Sequence, residues 1–235
     1  MPSDLRVDIV AANRILAMEG VLDGYGHVSA RSDKDPAKFL ISRSIAPQLV
    51  KVADVMEHDA DSEPVNDERR PYLERFLHGE IYRQRPDVMA IVHSHSEAVI
   101  PFGVTRGTLK PIYHMASFLW SGVPVFEIRK TEEKNDLLIR DARLGHALAK
   151  CLGASPCVMM RGHGMTVVGS SIQEVVFRSI YTQVNARLQT AATQLGGPIT
   201  FLNDEEGKRA TETNFGTLER PWALWKARAM GSDPN

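Results

Sequence analysis

Segments with helical periodicity alternate with short apolar runs along this 235-residue chain, and that alternation restricts it to an α/β fold. Leu5, Ile9, Ala12 and Leu16 recur every three or four positions, which predicts a helix capped by Ser3 or Asp4 and ending near Gly20. Residues 28–31 and 39–41 read as short strands. Leu73, Leu77 and Ile81 line one face of a second helix from about Pro71, and Pro86 stops the pattern. Residues 88–95 read as a buried strand, and 123–126 as an edge strand because it contains a proline. A helical pattern over 136–150 precedes two strands, 157–160 and 165–168, joined at the Gly162-His163-Gly164 turn. The longest helix runs from Ser171 to about Leu195. The polar stretch 57–70 reads as an exposed connection. No repeat or linker divides the chain, so 1–235 is expected to form one domain. Trp222 and Trp225 share a helix face in the tail, which from about residue 203 is expected to cover a neighbouring subunit.

Charge and cysteine usage narrow the function. Lys and Arg number 28 against 29 Asp and Glu, a net charge of −1, which argues against a nucleic-acid or anionic-membrane partner. No apolar run approaches a bilayer span, and the first residues lack the layout of a secretory signal. Two cysteines, Cys151 and Cys157, are too few for a disulfide framework or a cysteine-based zinc site. The expectation is a reduced, cytoplasmic protein acting on a small molecule.

The histidines carry the chemistry. His93 and His95 are two apart on a predicted strand, so their rings share a face and can converge on one ion. His163 lies between two glycines, which permit close backbone approach. Three neutral imidazoles leave coordination positions open, as a catalytic metal requires. Glu74 precedes the His93 strand on a predicted helix and shares a face with His78. It is a candidate fourth ligand, or a general acid or base.

The ordered set Glu74-x-x-x-His78, Ile81-Tyr82, Arg85-Pro86-Asp87, His93-x-His95 and Gly162-His163-Gly164 resembles the class II aldolase/adducin family. Gly26-His27-Val28-Ser29-Ala30-Arg31 is similar to that family's Gly-Asn-x-Ser segment. The resemblance covers roughly residues 5 to 200. It implies a three-layer α/β/α sandwich around a mostly antiparallel sheet, assembled as a homotetramer with active sites at subunit interfaces. It further implies that His93, His95 and His163 bind one divalent metal ion. Mn2+ or Zn2+ is expected first, with Mg2+, Fe2+ or Co2+ as alternatives. Glu74 is then the acid/base carboxylate. His114 falls where the aldolases place a tyrosine that reaches a neighbouring site, with Tyr113 as the alternative register.

The departures from the sugar-phosphate pattern point elsewhere. His27 stands at the asparagine position, the loop 42–47 (SRSIAP) has no glycine, and Tyr72 and Leu73 replace two serines before the glutamate. Arg43, His27 and Ser29 are instead candidates for holding a carboxylate, the arginine through two parallel hydrogen bonds. In these segments the chain resembles the family's decarboxylase branch. The expected function is metal-dependent, non-oxidative decarboxylation of a hydroxylated aromatic or ring-cleavage-derived acid through a metal-stabilised enolate. A sugar-phosphate aldolase or epimerase is the alternative, and a non-catalytic adducin-like interaction domain the third reading.

Overall fold

The computed structural model describes residues 4–231. Helix α1 (Leu5–Met18) is capped by Asp4, whose side chain accepts from the Arg6 amide; Ser3, the other candidate cap, lies outside the described residues. Strands β1 (His27–Arg31), β2 (Phe39–Ser42) and β3 (Val55–His58) follow, then α2 (Arg75–Gln84) and β4 (Ala90–Ser94). After the short α3 (Ile100–Val104) come β5 (Val125–Phe126), α4 (Ala142–Leu152), β6 (Cys157–Met160) and β7 (Gly164–Gly169). The long α5 (Ile172–Leu195), α6 (Asp204–Phe215) and α7 (Glu219–Met230) complete the chain. Among the described residues no helix is long and apolar enough to cross a membrane.

The seven strands form one sheet in the order β3-β2-β1-β4-β7-β6-β5. It is a mixed sheet where a mostly antiparallel one was expected: the other strand pairs are antiparallel, but β5 and β6 pair in parallel. The reason is local. Helix α4 crosses over between these two strands, and such a crossover returns the chain in the same direction. The edge position expected for 123–126 is that of β5.

Strand alternation builds a core on each side. Val28, Ala30, Leu40, Val92 and Val167 point to one face and pack with Ile9 and Leu16 of α1 and Val176 of α5. Phe39, Ile41, Ile91, Val158 and Val168 point to the other and pack with Leu77 and Ile81 of α2 and Leu148 of α4. Period 2 in the strands and 3.6 in the helices thus meet on both faces.

Three boundaries differ from expectation. Strand β3 lies partly within the stretch read as a connection, because Val55 and Met56 carry its apolar signal ahead of the charged run. Helix α4 starts at Ala142 rather than 136, since the Asp141 side chain caps it by accepting from the Leu144 amide. The side chains of Asn135 and Asp136 accept from the amides of Leu137 and Leu138, holding that segment outside the helix. Helix α2 likewise starts at Arg75, after Tyr72 has turned to donate to the Ile45 carbonyl at 2.5 Å.

The tryptophans are not left exposed for a neighbouring subunit to cover. Trp222 and Trp225 are 7% and 8% exposed and join the core formed by α1 and α5 of their own chain. Lys226 beside them reaches Asp8 of α1 at 2.6 Å. The tail covers this chain's own first helix, so the tryptophans give no argument for a subunit contact.

On β3, His58 is fully buried, stacks on Phe39 at 5.2 Å, and has no hydrogen-bond partner for either ring nitrogen among the described residues. Burial first, then the nearby Arg75 charge, pushes its pKa down to about 4. The unfolded chain therefore binds a proton here at a higher pH than the fold does. Stability from this residue is complete above the unfolded value of 6.5 and is lost as pH falls toward 4. His58→Phe should flatten the loss of urea-unfolding free energy across that window by up to about 3 kcal/mol. An unchanged slope would show that His58 is not the sensitive group.

Candidate active site

Antiparallel pairing decides where the chemistry collects. Because β1 and β7 both run opposite to β4, the start of β1, the end of β4 and the start of β7 share one end of the sheet. His27 opens β1 and pairs directly with His93 near the end of β4. His95 follows two residues on, and His163 stands immediately before β7. The hairpin between β6 and β7 is tight: the His163 amide donates to the Met160 carbonyl at 3.0 Å, and Gly162 has φ +68°.

Glu74, His93, His95 and His163 bring one ligand atom each within 4.8 Å of one another. Glu74 Oε2 lies 3.5 Å from the Nε2 atoms of both His93 and His163. His95 and His163 face each other through their Nε2 atoms at 3.1 Å. The opposite ring nitrogens are held from behind. Nδ1 of His163 donates to the Leu137 carbonyl at 2.9 Å, and Nδ1 of His95 to Asp23 Oδ2 at 2.9 Å. Nδ1 of His93 sits 3.4 Å from Thr166 Oγ1. With their protons on Nδ1, the imidazoles turn lone pairs inward, and His93 Nε2 is buried without a hydrogen-bond partner among the described residues. Converging lone pairs and a carboxylate fit a divalent cation.

The electrostatics agree. Burial alone raises the Glu74 pKa, but the facing His93 and His163 outweigh it and hold the carboxyl well below its usual range. Burial lowers His93, whereas Glu74 raises the proton affinity of His163 despite burial. Glu74 Oε1 accepts from the Ile139 amide at 2.9 Å, which fixes the carboxylate.

A cavity of about 360 Å3 opens beside the cluster, lined by Tyr25, His27, Ser44, Arg70, Tyr72, Leu73, Glu74, His95 and Leu138. Of the residues expected at the site, Glu74, His93, His95, His163 and His27 come together. The others do not. Arg43 pairs through Nε with Asp54 at 2.7 Å and does not line the cavity. Ser29 is fully buried behind His27, bonded to His78 and Tyr82. His114 is exposed in the turn before Leu119, where its carbonyl accepts from Asn214 Nδ2. Asp54, just before β3, takes the charge of Arg43.

The guanidinium at the cavity is Arg70, which makes no side-chain hydrogen bond or ion pair among the described residues. It lies in a charged run that offers no periodicity to separate it from Arg69 or Arg75. Asp23 had a readable signal. In Asp23-Gly24-Tyr25-Gly26 its Oδ1 accepts from the Tyr25 and Gly26 amides, an Asx turn that leaves Oδ2 for His95.

A seven-stranded mixed sheet with three histidines and a glutamate gathered at one end of its inner strands defines the class of protein, and the sequence places the chain within it. The chain belongs to the class II aldolase and adducin family: residues 7–190 match the Class II Aldolase and Adducin N-terminal domain. It is 39% identical to the decarboxylase tropJ of Talaromyces stipitatus, covering 96% of this chain and 94% of that one. It is 32% identical to the 3,4-dihydroxyphthalate decarboxylase of Terrabacter sp., covering 84% and 85%. The fold is shared with the L-fuculose 1-phosphate aldolase of Glaciozyma antarctica, with a TM-score of 0.79, 20% identity and coverage of 97% and 90%.

Proposed function

We propose that the protein is a metal-dependent, non-oxidative decarboxylase of a hydroxylated aromatic or ring-cleavage-derived acid. One observation carries this reading: Arg70, whose side chain has no partner among the described residues, lines the same cavity as Tyr25, Tyr72, Glu74 and His95. An arginine fork matches a carboxylate, and the rings suit a planar substrate. The 3,4-dihydroxyphthalate decarboxylase of Terrabacter supports the substrate class. A bound divalent ion, Mn2+ or Zn2+, supplies stabilisation of the charge left on the substrate as CO2 departs.

The chain's own groups do the rest. Arg70 binds the carboxylate that is retained. Glu74, ionised and fixed by the Ile139 amide, takes the substrate hydroxyl proton on Oε2 and returns it to the carbon that loses CO2. Tyr72 fills the space beside the 42–47 loop, accepting from Ser42 Oγ at 3.2 Å, where a phosphate would need room and donors. The functional unit is a homotetramer in the cytoplasm; exposed Tyr25 and Leu73 at the cavity supply apolar surface for a second copy, and light scattering reports the assembly.

The test is CO2 release from 3,4-dihydroxyphthalate and related hydroxy acids by metal-loaded protein. Arg70→Ala should raise KM roughly 30-fold, about 2 kcal/mol, with a smaller change in kcat. Cleavage or epimerisation of a sugar phosphate without CO2 release overturns the reading in favour of an aldolase. Metal binding with neither activity would favour the adducin-like alternative.

A further inference from the structure

A file of buried polar side chains leads from the cavity wall toward α2. His27 Nδ1 is 2.7 Å from His78 Nε2, and His78 Nδ1 is 2.7 Å from Ser29 Oγ. Ser29 Oγ is in turn 2.8 Å from the Tyr82 hydroxyl. All four residues are buried. Strand β1 sets His27 and Ser29 on one face two residues apart, and α2 sets His78 and Tyr82 opposite them one turn apart. None of the four belongs to the donor set that fits the metal.

Counting protons fixes the direction of this chain. The Tyr82 hydroxyl has one hydrogen-bond partner among the described residues, Ser29 Oγ, so it donates there. Ser29 then has His78 Nδ1 for its own proton. A neutral His78 must carry its proton on Nε2, and donates it to His27 Nδ1. A neutral His27 must therefore carry its proton on Nε2. Running the chain the other way leaves the Tyr82 proton without an acceptor among the described residues, and a mixed arrangement leaves that of Ser29 without one. Nε2 of His27 makes no hydrogen bond to another described residue, and His27 lines the cavity.

We propose that Tyr82, Ser29 and His78 set the tautomer of His27, so that a neutral imidazole N–H faces the cavity and donates to a carboxylate oxygen of the substrate. The N–H follows from the fold; its acceptor rests on the decarboxylase reading. The same tautomer keeps His27 out of the metal cluster. Its ring lies 5.1 Å from that of His93, and the reversed tautomer would present a competing lone pair there. His78, Ser29 and Tyr82 are positioning residues.

The test begins without substrate, so its failure is separate from failure of the decarboxylase reading. In Zn2+-loaded protein labelled with 15N-histidine, the His27 signals are assigned by their loss in His27→Gln. They should show an unprotonated Nδ1 and a protonated Nε2 at neutral pH. His78→Leu should shift them toward a mixture of tautomers with zinc content unchanged. Ser29→Ala, a smaller change, should move them the same way and serves if His78→Leu does not fold. A protonated Nδ1 in the wild type, or signals indifferent to both variants, overturns the proposal. With 3,4-dihydroxyphthalate, His27→Leu should raise KM roughly tenfold or more, and His27→Gln, which keeps an N–H, should recover most of that. Equal losses in both variants would remove the donor role.

Discussion

Glu74→Gln should keep close to one metal ion per chain yet lower kcat by about 10²- to 10⁴-fold, the range a positioned acid or base contributes. The three imidazoles converge without help from the carboxylate, each fixed from behind by Leu137, Asp23 or Thr166. Glutamine keeps the length of Glu74 and retains an oxygen to accept from the Ile139 amide. What it loses is the charge facing His93 and His163, and a group able to take up and return a proton. His93→Ala should do the opposite and prevent metal binding, since it removes a buried imidazole of the cluster whose Nε2 has no hydrogen-bond partner among the described residues. Metal analysis beside single-turnover CO2 release separates the two variants. Stoichiometric metal in His93→Ala would refute the ligand assignment. Undiminished turnover in Glu74→Gln would refute the proton-transfer role.

Much of this centre was legible because its residues obey simple periodicities. His93 and His95 share a face by the period of a strand, and His163 advertises itself between two glycines. The residues that orient them were less legible. Leu137 acts through its carbonyl, which no side chain announces, in a segment whose apolar pattern reads as helix until Asp141 is recognised as the cap. Ser29 and His78 were visible as polar residues on predicted elements. Their bonding to each other depends on the distance between β1 and α2, which only the packed fold sets. Arg43 and Arg70 show the same limit: both are arginines in loops, and only the packed fold shows that Arg43 pairs with Asp54 while Arg70 lines the cavity with no side-chain partner among the described residues. The tryptophans illustrate the converse limit. A shared apolar face says that something covers it, and here α1 and α5 of the same chain do.

Gly164→Ala should abolish the metal centre and destabilise the fold by ~3 kcal/mol or more, although it adds a single methyl group. A Cβ at this position would lie 2.0 Å from the Ser94 carbonyl oxygen, 2.9 Å from its carbon and 3.0 Å from His95 Cα. All three are backbone atoms, so no side chain can swing aside. Relief requires the end of β4 to move from the start of β7, where Ser94 pairs with Met165. That separation carries His93 and His95 away from His163, and the ligand atoms now within 4.8 Å no longer converge. Gly162→Ala is the control, because it flanks the same histidine from the other side. Its added Cβ meets only Leu137 Cδ1, at 3.9 Å, and the variant bears just the backbone penalty of φ +68°, about 1 kcal/mol. Urea unfolding with and without chelator, beside metal stoichiometry, distinguishes them. Gly162→Ala should unfold slightly earlier and still bind metal, whereas Gly164→Ala should unfold early and show no response to chelator. Full metal occupancy in Gly164→Ala would mean that the close approach of β4 and β7 does not hold the three histidines together.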